Sequence, residues 1–111
     1  STQGYSSAAS DVYKRQERVY EDDKMIVIRD VAPAAPVHVL MIPKAHTENI
    51  ITAEPELLLY MFGKVKELAE KLGVNEKGFR IVANTGDDGG QTVKHLHIHL
   101  LGGKALGWPP C

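Results

Sequence analysis

Seven residues near the C-terminal end decide the fold: His95-Leu96-His97-Ile98-His99-Leu100-Leu101. Histidine and aliphatic residues alternate strictly here, which is the period of a half-buried β-strand. A helix, with 3.6 residues per turn, would scatter the three rings around its surface. The pattern therefore predicts a strand that carries three imidazoles on one face and sends its aliphatic side chains into the core.

Three interpretations fit this row of imidazoles. The simplest is a polar strand face that merely uses histidine, although exposed strand positions more often carry Thr, Lys or Glu. Two of the rings can share a zinc ion with a third ligand from elsewhere, but the Cα atoms of His95 and His99 lie roughly 13 Å apart in a strand. Neutral imidazoles can also act together at a phosphorus centre: one ring attacks the phosphorus, another orients the attacking ring, and a third donates a proton. We favour this last interpretation and expect neither a metal nor another cofactor.

The loop before the histidines supports a phosphate site. The stretch Asn84-Thr85-Gly86-Asp87-Asp88-Gly89-Gly90-Gln91-Thr92 contains three glycines. Without side chains in the way, backbone N–H groups can approach an anion closely. A hairpin turn also accounts for these glycines. Because the loop directly precedes three histidines, we interpret it as one wall of an anion pocket.

The rest of the chain predicts an α+β domain. Strands are predicted at Met25–Arg29, Val37–Ile42 and Phe79–Asn84, in addition to a histidine strand from Val93 to Leu101. Apolar residues at helical spacing predict one long amphipathic helix that begins at Thr52 and stops at Gly73. Strands grouped with a single long helix are typical of an α+β fold.

Composition narrows the function classes. The chain has 111 residues, enough for one domain, and a formal net charge of −1, which gives no basic field for nucleic acid. Its longest apolar run, Leu57–Phe62, is far shorter than the about 20 residues of a membrane span. The single cysteine, Cys111, excludes an internal disulfide and a thiolate metal cluster. We expect a cytoplasmic protein without nucleic-acid or membrane partners.

The first sixteen residues differ from the others. Residues 1–16 are mostly small and polar, begin without methionine and contain no apolar signal-peptide region. We expect a poorly specified arm that is not native to the domain, with the original start replaced or truncated. The domain itself is expected over residues 17–111.

Three motifs together resemble the histidine triad (HIT) superfamily. Gly89–Gly103 is similar to its signature, His-x-His-x-His followed by apolar residues, and Asp30–Lys44 is similar to its first motif. Gly102-Gly103 and Trp108-Pro109-Pro110 resemble the Hint branch, the histidine triad nucleotide-binding proteins. The resemblance covers roughly Val19–Pro110. It implies an antiparallel sheet of about five strands with one long amphipathic helix, and a homodimer whose sheets join across the interface.

The resemblance also implies catalytic roles. His97 would attack the α-phosphorus and become a transient nucleotidyl-histidine, and His99 would contact the phosphate and the leaving group. His95 and His38 would complete the cluster and hold the tautomer and orientation of the nucleophile. Thr92 stands where the family usually has a serine that hydrogen-bonds the leaving group.

Further positions would surround the nucleotide. By the resemblance they are Asp30, Ile28, Val31, Asn84, Gly90, Gln91, Val93 and Trp108. Asp30 would accept from the ribose hydroxyls, Ile28 and Val31 would line the base pocket, and Trp108 would lie near the neighbouring subunit's active site. From the residues alone, Asp30 also fits a plain turn and Asn84 a loop-backbone partner. The fifth histidine, His46, has no assigned role and is expected on the surface.

The implied activity is cleavage of the P–N bond of purine nucleoside 5′-phosphoramidates, with an AMP- or GMP-type nucleotide as the small-molecule partner. A dinucleoside-polyphosphate hydrolase on the same fold is an alternative, although the Trp-Pro-Pro tail argues against it. A purine-nucleotide binding or interaction module is another. The chain departs from the family at Lys94, often tyrosine, and in residues 1–16, which lack the Ile/Phe-rich segment that closes one wall of the base pocket.

Overall fold

The structure, a computed structural model, describes residues 17–110. The predicted arm at residues 1–16 lies outside them, as does Cys111. Five strands are found: β1 Arg18–Glu21, β2 Met25–Arg29, β3 Val37–Pro43, β4 Phe79–Val82 and β5 Ile98–Gly102. Two helices lie between β3 and β4: α1 Pro55–Gly63 and α2 Val65–Leu72.

The five strands form one antiparallel sheet in the order β1-β2-β3-β5-β4. The predicted α+β class and the predicted sheet of about five strands are confirmed. Because β5 lies between β3 and β4, the histidine segment runs through the interior of the sheet rather than along an edge. The long excursion between β3 and β4 contains both helices.

The two faces of the sheet carry different residues, because successive side chains of a strand point to opposite sides. One face forms the main core with the helices, and its strand residues are Met25, Val27, Val39, Met41, Ile98 and Leu100. The opposite face carries a smaller apolar cluster of Ile26, Ile28, Ile42 and Leu40. His38 alternates with the core residues of β3 and therefore belongs to this second face. We call it the site face.

The predicted long helix is present as two consecutive helices. They join at Lys64, whose N–H donates to the Met61 carbonyl oxygen in a tight three-residue turn just after the poor helix former Gly63. The helical segment begins at Pro55 rather than Thr52. The Thr52 hydroxyl instead accepts hydrogen bonds from the amides of Glu48 and Asn49. Within residues 17–110, no helix has the length and apolar character required to cross a membrane.

The histidine strand is shorter than predicted. β5 begins at Ile98, so His95 and His97 lie in the chain that leads into it. The reason is a change of hydrogen-bonding partner, because the Leu96 amide donates to the Thr47 carbonyl oxygen at 2.8 Å instead of to a neighbouring strand. The predicted burial of the alternating aliphatic side chains is confirmed for Leu96, Ile98 and Leu100.

A polar cluster around Asp22 joins the β1–β2 turn to the helices. Its carboxylate accepts hydrogen bonds from the Tyr60 hydroxyl, from the Tyr20 hydroxyl at 2.7 Å, and from the amides of Lys24 and Met25 at 2.8 Å each. Burial raises the pKa of Asp22, but the hydrogen bonds from the two tyrosines and the two amides outweigh it and hold the pKa well below the ordinary value. The turn is therefore fixed by an ionised carboxylate.

Candidate active site

His38 of β3 and His99 of β5 meet on the site face. The register pairs His38 with Leu101 and Leu40 with His99, so the two histidines are diagonal neighbours. Long side chains bridge such diagonals. His38 Nε2 lies 2.9 Å from His99 Nδ1, and the ring centroids are 5.2 Å apart.

The hydrogen bonds fix where the protons of these two rings lie. The Ala34 amide donates to His38 Nδ1 at 3.0 Å, so that nitrogen carries a lone pair and the His38 proton is on Nε2. His38 Nε2–H then donates to His99 Nδ1, which leaves the His99 proton on Nε2. Burial, together with the nearby His97 and His38, lowers the pKa of His99 and favours the neutral ring. His99 thus presents a neutral N–H donor.

His97 has the opposite arrangement. Its Nδ1 lies 2.9 Å from the carbonyl oxygen of His95. A carbonyl oxygen only accepts, so the His97 proton is on Nδ1 and Nε2 carries the lone pair. The ring is partly exposed and lies edge-on to His99, with 5.2 Å between centroids. A nucleophilic nitrogen and a proton donor are therefore neighbours.

The His95 ring, unlike the His95 carbonyl, faces other partners than His97 and His99. His95 is only 1% exposed, and its Nε2–H donates to the Pro43 carbonyl oxygen at 2.9 Å. Burial lowers its pKa, while the hydrogen bond to Pro43 opposes that shift and the neighbouring His46 and His97 add to it. His46 is exposed, as expected, yet its Nδ1 lies 3.2 Å from His95 Nδ1. No pattern in the sequence indicated this contact.

Asp30 closes a turn and also reaches the histidine pair. Its Oδ1 accepts from the Ala32 amide at 2.8 Å and closes a turn, while Oδ2 lies 3.5 Å from His38 Nε2. Of the two base-pocket candidates, Ile28 is fully buried in the apolar cluster of the site face and Val31 is 77% exposed. Asp30 thus lies beside His38.

The glycine loop folds back on itself before the histidine segment. Asn84 Nδ2 donates to the Gly89 carbonyl oxygen at 2.6 Å, and Gly90 takes a left-handed conformation with φ 75°. A side chain on Gly89 would place Cβ only 2.4 Å from the Thr85 carbonyl oxygen, so this position requires glycine. Thr92 is exposed, and its hydroxyl makes no hydrogen bond to any residue the structure describes.

Gln91 holds this loop in place, and its side chain makes all four hydrogen bonds that an amide group can make. Its Oε1 accepts from Asn49 Nδ2 at 3.2 Å and from the Gly86 amide at 3.0 Å. Its Nε2 donates to the carbonyl oxygens of Glu48 at 2.7 Å and Val93 at 3.0 Å. With all four positions used and the residue buried, the Gln91 side chain has no polar group left for a ligand, and the Gln91 amide donates to the Gly86 carbonyl oxygen at 3.0 Å. Asn49, also buried, was not predicted, because its partner lies 42 residues away.

The C-terminal tail is attached to the edge of the sheet. Arg80 of β4 donates from Nη2 to the Gly107 carbonyl oxygen at 2.8 Å, and its guanidinium lies over the Trp108 ring, 5.9 Å from the centroid. Trp108 itself is 80% exposed. Arg80 was not among the predicted site residues.

A metal ion needs several ligand atoms close together. Among the described residues, this holds for one atom each of Asp30, His38 and His99, which lie within 4.8 Å of one another. His38 Nε2 and His99 Nδ1 are separated by 2.9 Å, shorter than the roughly 3.3 Å between two nitrogens that bind one tetrahedral zinc ion. The His38 nitrogen also carries the shared proton. The arrangement is that of a hydrogen bond, and zinc would have to displace that proton.

Residues 13–106 match the model of the HIT domain family. Over 95 residues, the chain is 56% identical to an uncharacterised HIT-like protein of Synechococcus elongatus, with 83% of this chain and 82% of that protein covered. The chain belongs to the HIT domain family.

Solved structures of HIT proteins are similar to this fold. A HIT family hydrolase from Legionella pneumophila is 41% identical with a TM-score of 0.83, and the match covers 86% of this chain and 88% of that one. A histidine triad nucleotide-binding protein from Candida albicans is 29% identical with a TM-score of 0.73, covering 85% of this chain and 74% of that one. The chain thus shares the HIT fold with these proteins.

Proposed function

We propose that this chain hydrolyses the P–N bond of purine nucleoside 5′-phosphoramidates through a covalent nucleotidyl-histidine. One observation carries the proposal: the His95 carbonyl oxygen binds His97 Nδ1–H, so that the unprotonated Nε2 of a partly exposed ring lies beside the neutral His99. Nucleophilic catalysis requires such an unprotonated, accessible nitrogen next to an oriented donor. Relatives described as HIT family hydrolases support the reaction class.

The reaction proceeds in two displacements. His97 Nε2 attacks the α-phosphorus, the P–N bond breaks, and the amine leaves with the bonding pair and takes up a proton. Water then attacks the same phosphorus and gives up a proton that balances the one taken up by the amine, the bond to Nε2 breaks, and the nucleoside monophosphate is released. The scheme uses no metal or cofactor. His99 Nε2–H donates to the phosphate and the leaving group, and the Thr92 hydroxyl assists the departure of the amine.

The remaining predicted residues bind the nucleotide. Asn84, Gly90 and the backbone of Gln91–Val93 line the phosphate side, consistent with a Gln91 side chain that is already saturated. Asp30 accepts from the ribose hydroxyls. Ile28, within the apolar cluster of the site face, and the exposed Val31 contribute to the purine pocket, and Trp108 contributes from the tail.

Steady-state hydrolysis of a fluorogenic adenosine phosphoramidate tests the catalytic assignment. His97→Ala removes the nucleophile and should reduce turnover by at least about a thousandfold. Lys104→Ala, an exposed residue without an ion pair in the described chain, is the matched control and should retain wild-type turnover. Equal turnover by wild type and His97→Ala means that the assignment is wrong.

The substrate class needs a separate measurement. Diadenosine polyphosphate replaces the phosphoramidate in the same assay, at equal concentration. We expect the phosphoramidate to have the higher kcat/KM. A preference for the dinucleotide would move the chain to the alternative hydrolase class, and tight AMP binding without turnover of either compound would indicate a binding module.

We further propose a homodimer joined along β4. The two edges of the sheet differ: at β1, Lys71 Nζ donates to the Val19 carbonyl oxygen at 2.5 Å and so occupies a group on that edge. At β4, the tail contacts the Arg80 side chain, and Phe79 remains 38% exposed. A strand edge whose backbone groups are open pairs readily with another strand. Analytical ultracentrifugation should give a dimer for wild type and for Arg18→Ala on β1, and a monomer for Phe79→Asp. A monomeric wild type would contradict this assembly.

A further inference from the structure

The loop between β3 and α1 binds the segment that leads to the nucleophile. Three contacts join them in succession: His95 Nε2 to the Pro43 carbonyl oxygen, His46 Nδ1 to His95 Nδ1, and the Leu96 amide to the Thr47 carbonyl oxygen. His46 supplies the only contact of the three that a side chain of this loop makes. It lies 49 residues before His95 and is not one of the catalytic residues proposed above.

The protons in the His46–His95 pair can be assigned from their partners. The Pro43 carbonyl oxygen only accepts, so His95 carries its proton on Nε2 and, in the neutral ring, a lone pair on Nδ1. Burial of His95 at 1% exposure favours that neutral ring. A 3.2 Å contact between two Nδ1 atoms needs one proton, and His46 must therefore donate it. The rings meet edge-on, at 61° between planes.

We propose that His46 is a positioning residue that orients the His95 residue through this hydrogen bond and so keeps the His95 carbonyl oxygen on His97 Nδ1. The inference rests on the proposed function, in which His97 Nε2 must be free of a proton. The His95 carbonyl belongs to the same peptide unit as the Leu96 amide, which is bonded to the Thr47 carbonyl oxygen. Without the His46 contact, that backbone hydrogen bond alone would hold the peptide unit, and His97 could place its proton on Nε2 and lose the nucleophilic lone pair whenever the unit turned.

Histidine suits this position because its Nδ1–H is present in both the neutral and the protonated ring. His95 cannot accept once it is protonated. Among residues 17–110, His46, His97 and the Pro43 carbonyl oxygen act on the His95 ring, and both histidines disfavour a charge on it.

Two substitutions separate the hydrogen bond from simple packing. His46→Ala removes the donor, whereas His46→Asn places an amide N–H where Nδ1–H was. We expect His46→Ala to reduce kcat about tenfold with KM within about twofold, and His46→Asn to recover most of the loss. Glu48→Gln is the matched control, because this exposed side chain contacts Lys94 and not the His95 ring. It should retain wild-type kinetics.

The effect of the contact on the nucleophile can be measured without any turnover. Imidazole ¹⁵N chemical shifts should report an Nδ1–H tautomer for His97 in wild type and His46→Asn, and a mixture of His97 tautomers in His46→Ala, whereas the Pro43 carbonyl oxygen keeps His95 in the Nε2–H form in all three. Unchanged shifts and unchanged kcat in a folded His46→Ala protein would overturn the inference, and so would equal losses in both variants. An inactive wild type with the expected shifts would refute the proposed function while leaving the His46–His95 contact established.

Discussion

A single proton joins His38 to His99. The two residues lie diagonally across β3 and β5, and because the Ala34 amide occupies His38 Nδ1, the proton between them belongs to His38 Nε2. This fixes both tautomers at once. The position of the His99 proton on Nε2 therefore depends on the Ala34 amide, which acts on His99 through the His38 ring.

Removal of His38 should affect turnover through His99. In His38→Ala, His99 loses the donor that holds its tautomer, and we expect kcat to fall about 10- to 100-fold. His38→Gln places an amide N–H near the position of Nε2 and should retain more activity than the alanine variant. Steady-state kinetics of both variants, with phosphoramidate as substrate, provides the check. Equal kcat values for the two variants would contradict the role of the shared proton.

Stability should decrease in mild acid. The pKa values of His95 and His99 lie below the ordinary 6.5 in the folded chain, with burial as the main cause. Below about pH 6.5 the unfolded chain binds protons that the folded rings do not, so the free energy of unfolding falls with pH by up to about 1.4 kcal/mol per pH unit for each ring. The fall ends once pH passes below the folded pKa values. Urea titrations at several pH values measure it, and a smaller slope is expected for His95→Gln.

Gly89 should tolerate no side chain. In Gly89→Ala, the Cβ lies 2.4 Å from the Thr85 carbonyl oxygen and 2.8 Å from the Thr85 nitrogen, so the glycine loop must move. We expect a loss of about 1–3 kcal/mol in unfolding free energy and weaker AMP binding. Gly63→Ala is the control: its Cβ meets nothing within 4 Å, and α1 should gain about 0.5–1 kcal/mol. Thermal unfolding and calorimetric titration with AMP compare the pair.

Gln91 should contribute to stability more than its neighbours. Gln91→Ala removes four hydrogen bonds and leaves Nδ2 of the buried Asn49 without its Gln91 acceptor. The expected loss in unfolding free energy is about 2–4 kcal/mol. Lys94→Gln, exposed and three residues away, should change stability by less than about 0.5 kcal/mol. Urea unfolding at neutral pH distinguishes them. A Gln91→Ala protein as stable as Lys94→Gln would mean that the loop is held by other contacts.

The Asp22 cluster gives a stability change far from the site. Asp22→Ala removes an ionised acceptor of four hydrogen bonds and should cost about 2 kcal/mol at neutral pH. Because the pKa of Asp22 is lowered in the folded chain, its contribution is complete above the ordinary value of 3.8 and decreases as pH falls below it. The difference between wild type and variant should therefore shrink in acid. Activity at neutral pH should be unchanged in the folded variant.

Alternation of side chains predicted the parts of the fold that depend on local pattern. The strands at Met25–Arg29 and Val37–Pro43 and the burial of Leu96, Ile98 and Leu100 follow from a period of two and from β-branched residues. The histidine strand was predicted too long for a physical reason. The alternation continues through His95 and His97, but the Leu96 amide bonds to Thr47, and no sequence period reports the partner of an amide.

The contacts that connect distant parts of the chain were not predictable in this way. Gln91 with Asn49 and His46 with His95 are pairs of polar residues separated by 42 and 49 positions. Each residue taken alone fits an ordinary loop. Folding brings Pro43–Asn49 against the residues before β5. Only then do the polar groups of Asn49 and His46 meet their partners Gln91 and His95.

Trp108 determines what optical experiments on this protein will report. It is the only tryptophan of the chain, and it stands 80% exposed over the Arg80 guanidinium. Its emission is already that of an indole in water, so melting of the core should shift the emission maximum very little. The same fluorescence will instead follow events at the tail, such as ligand capture or contact with a second chain. Intrinsic fluorescence is therefore a poor measure of folding for this protein and a direct optical probe of its C-terminal end.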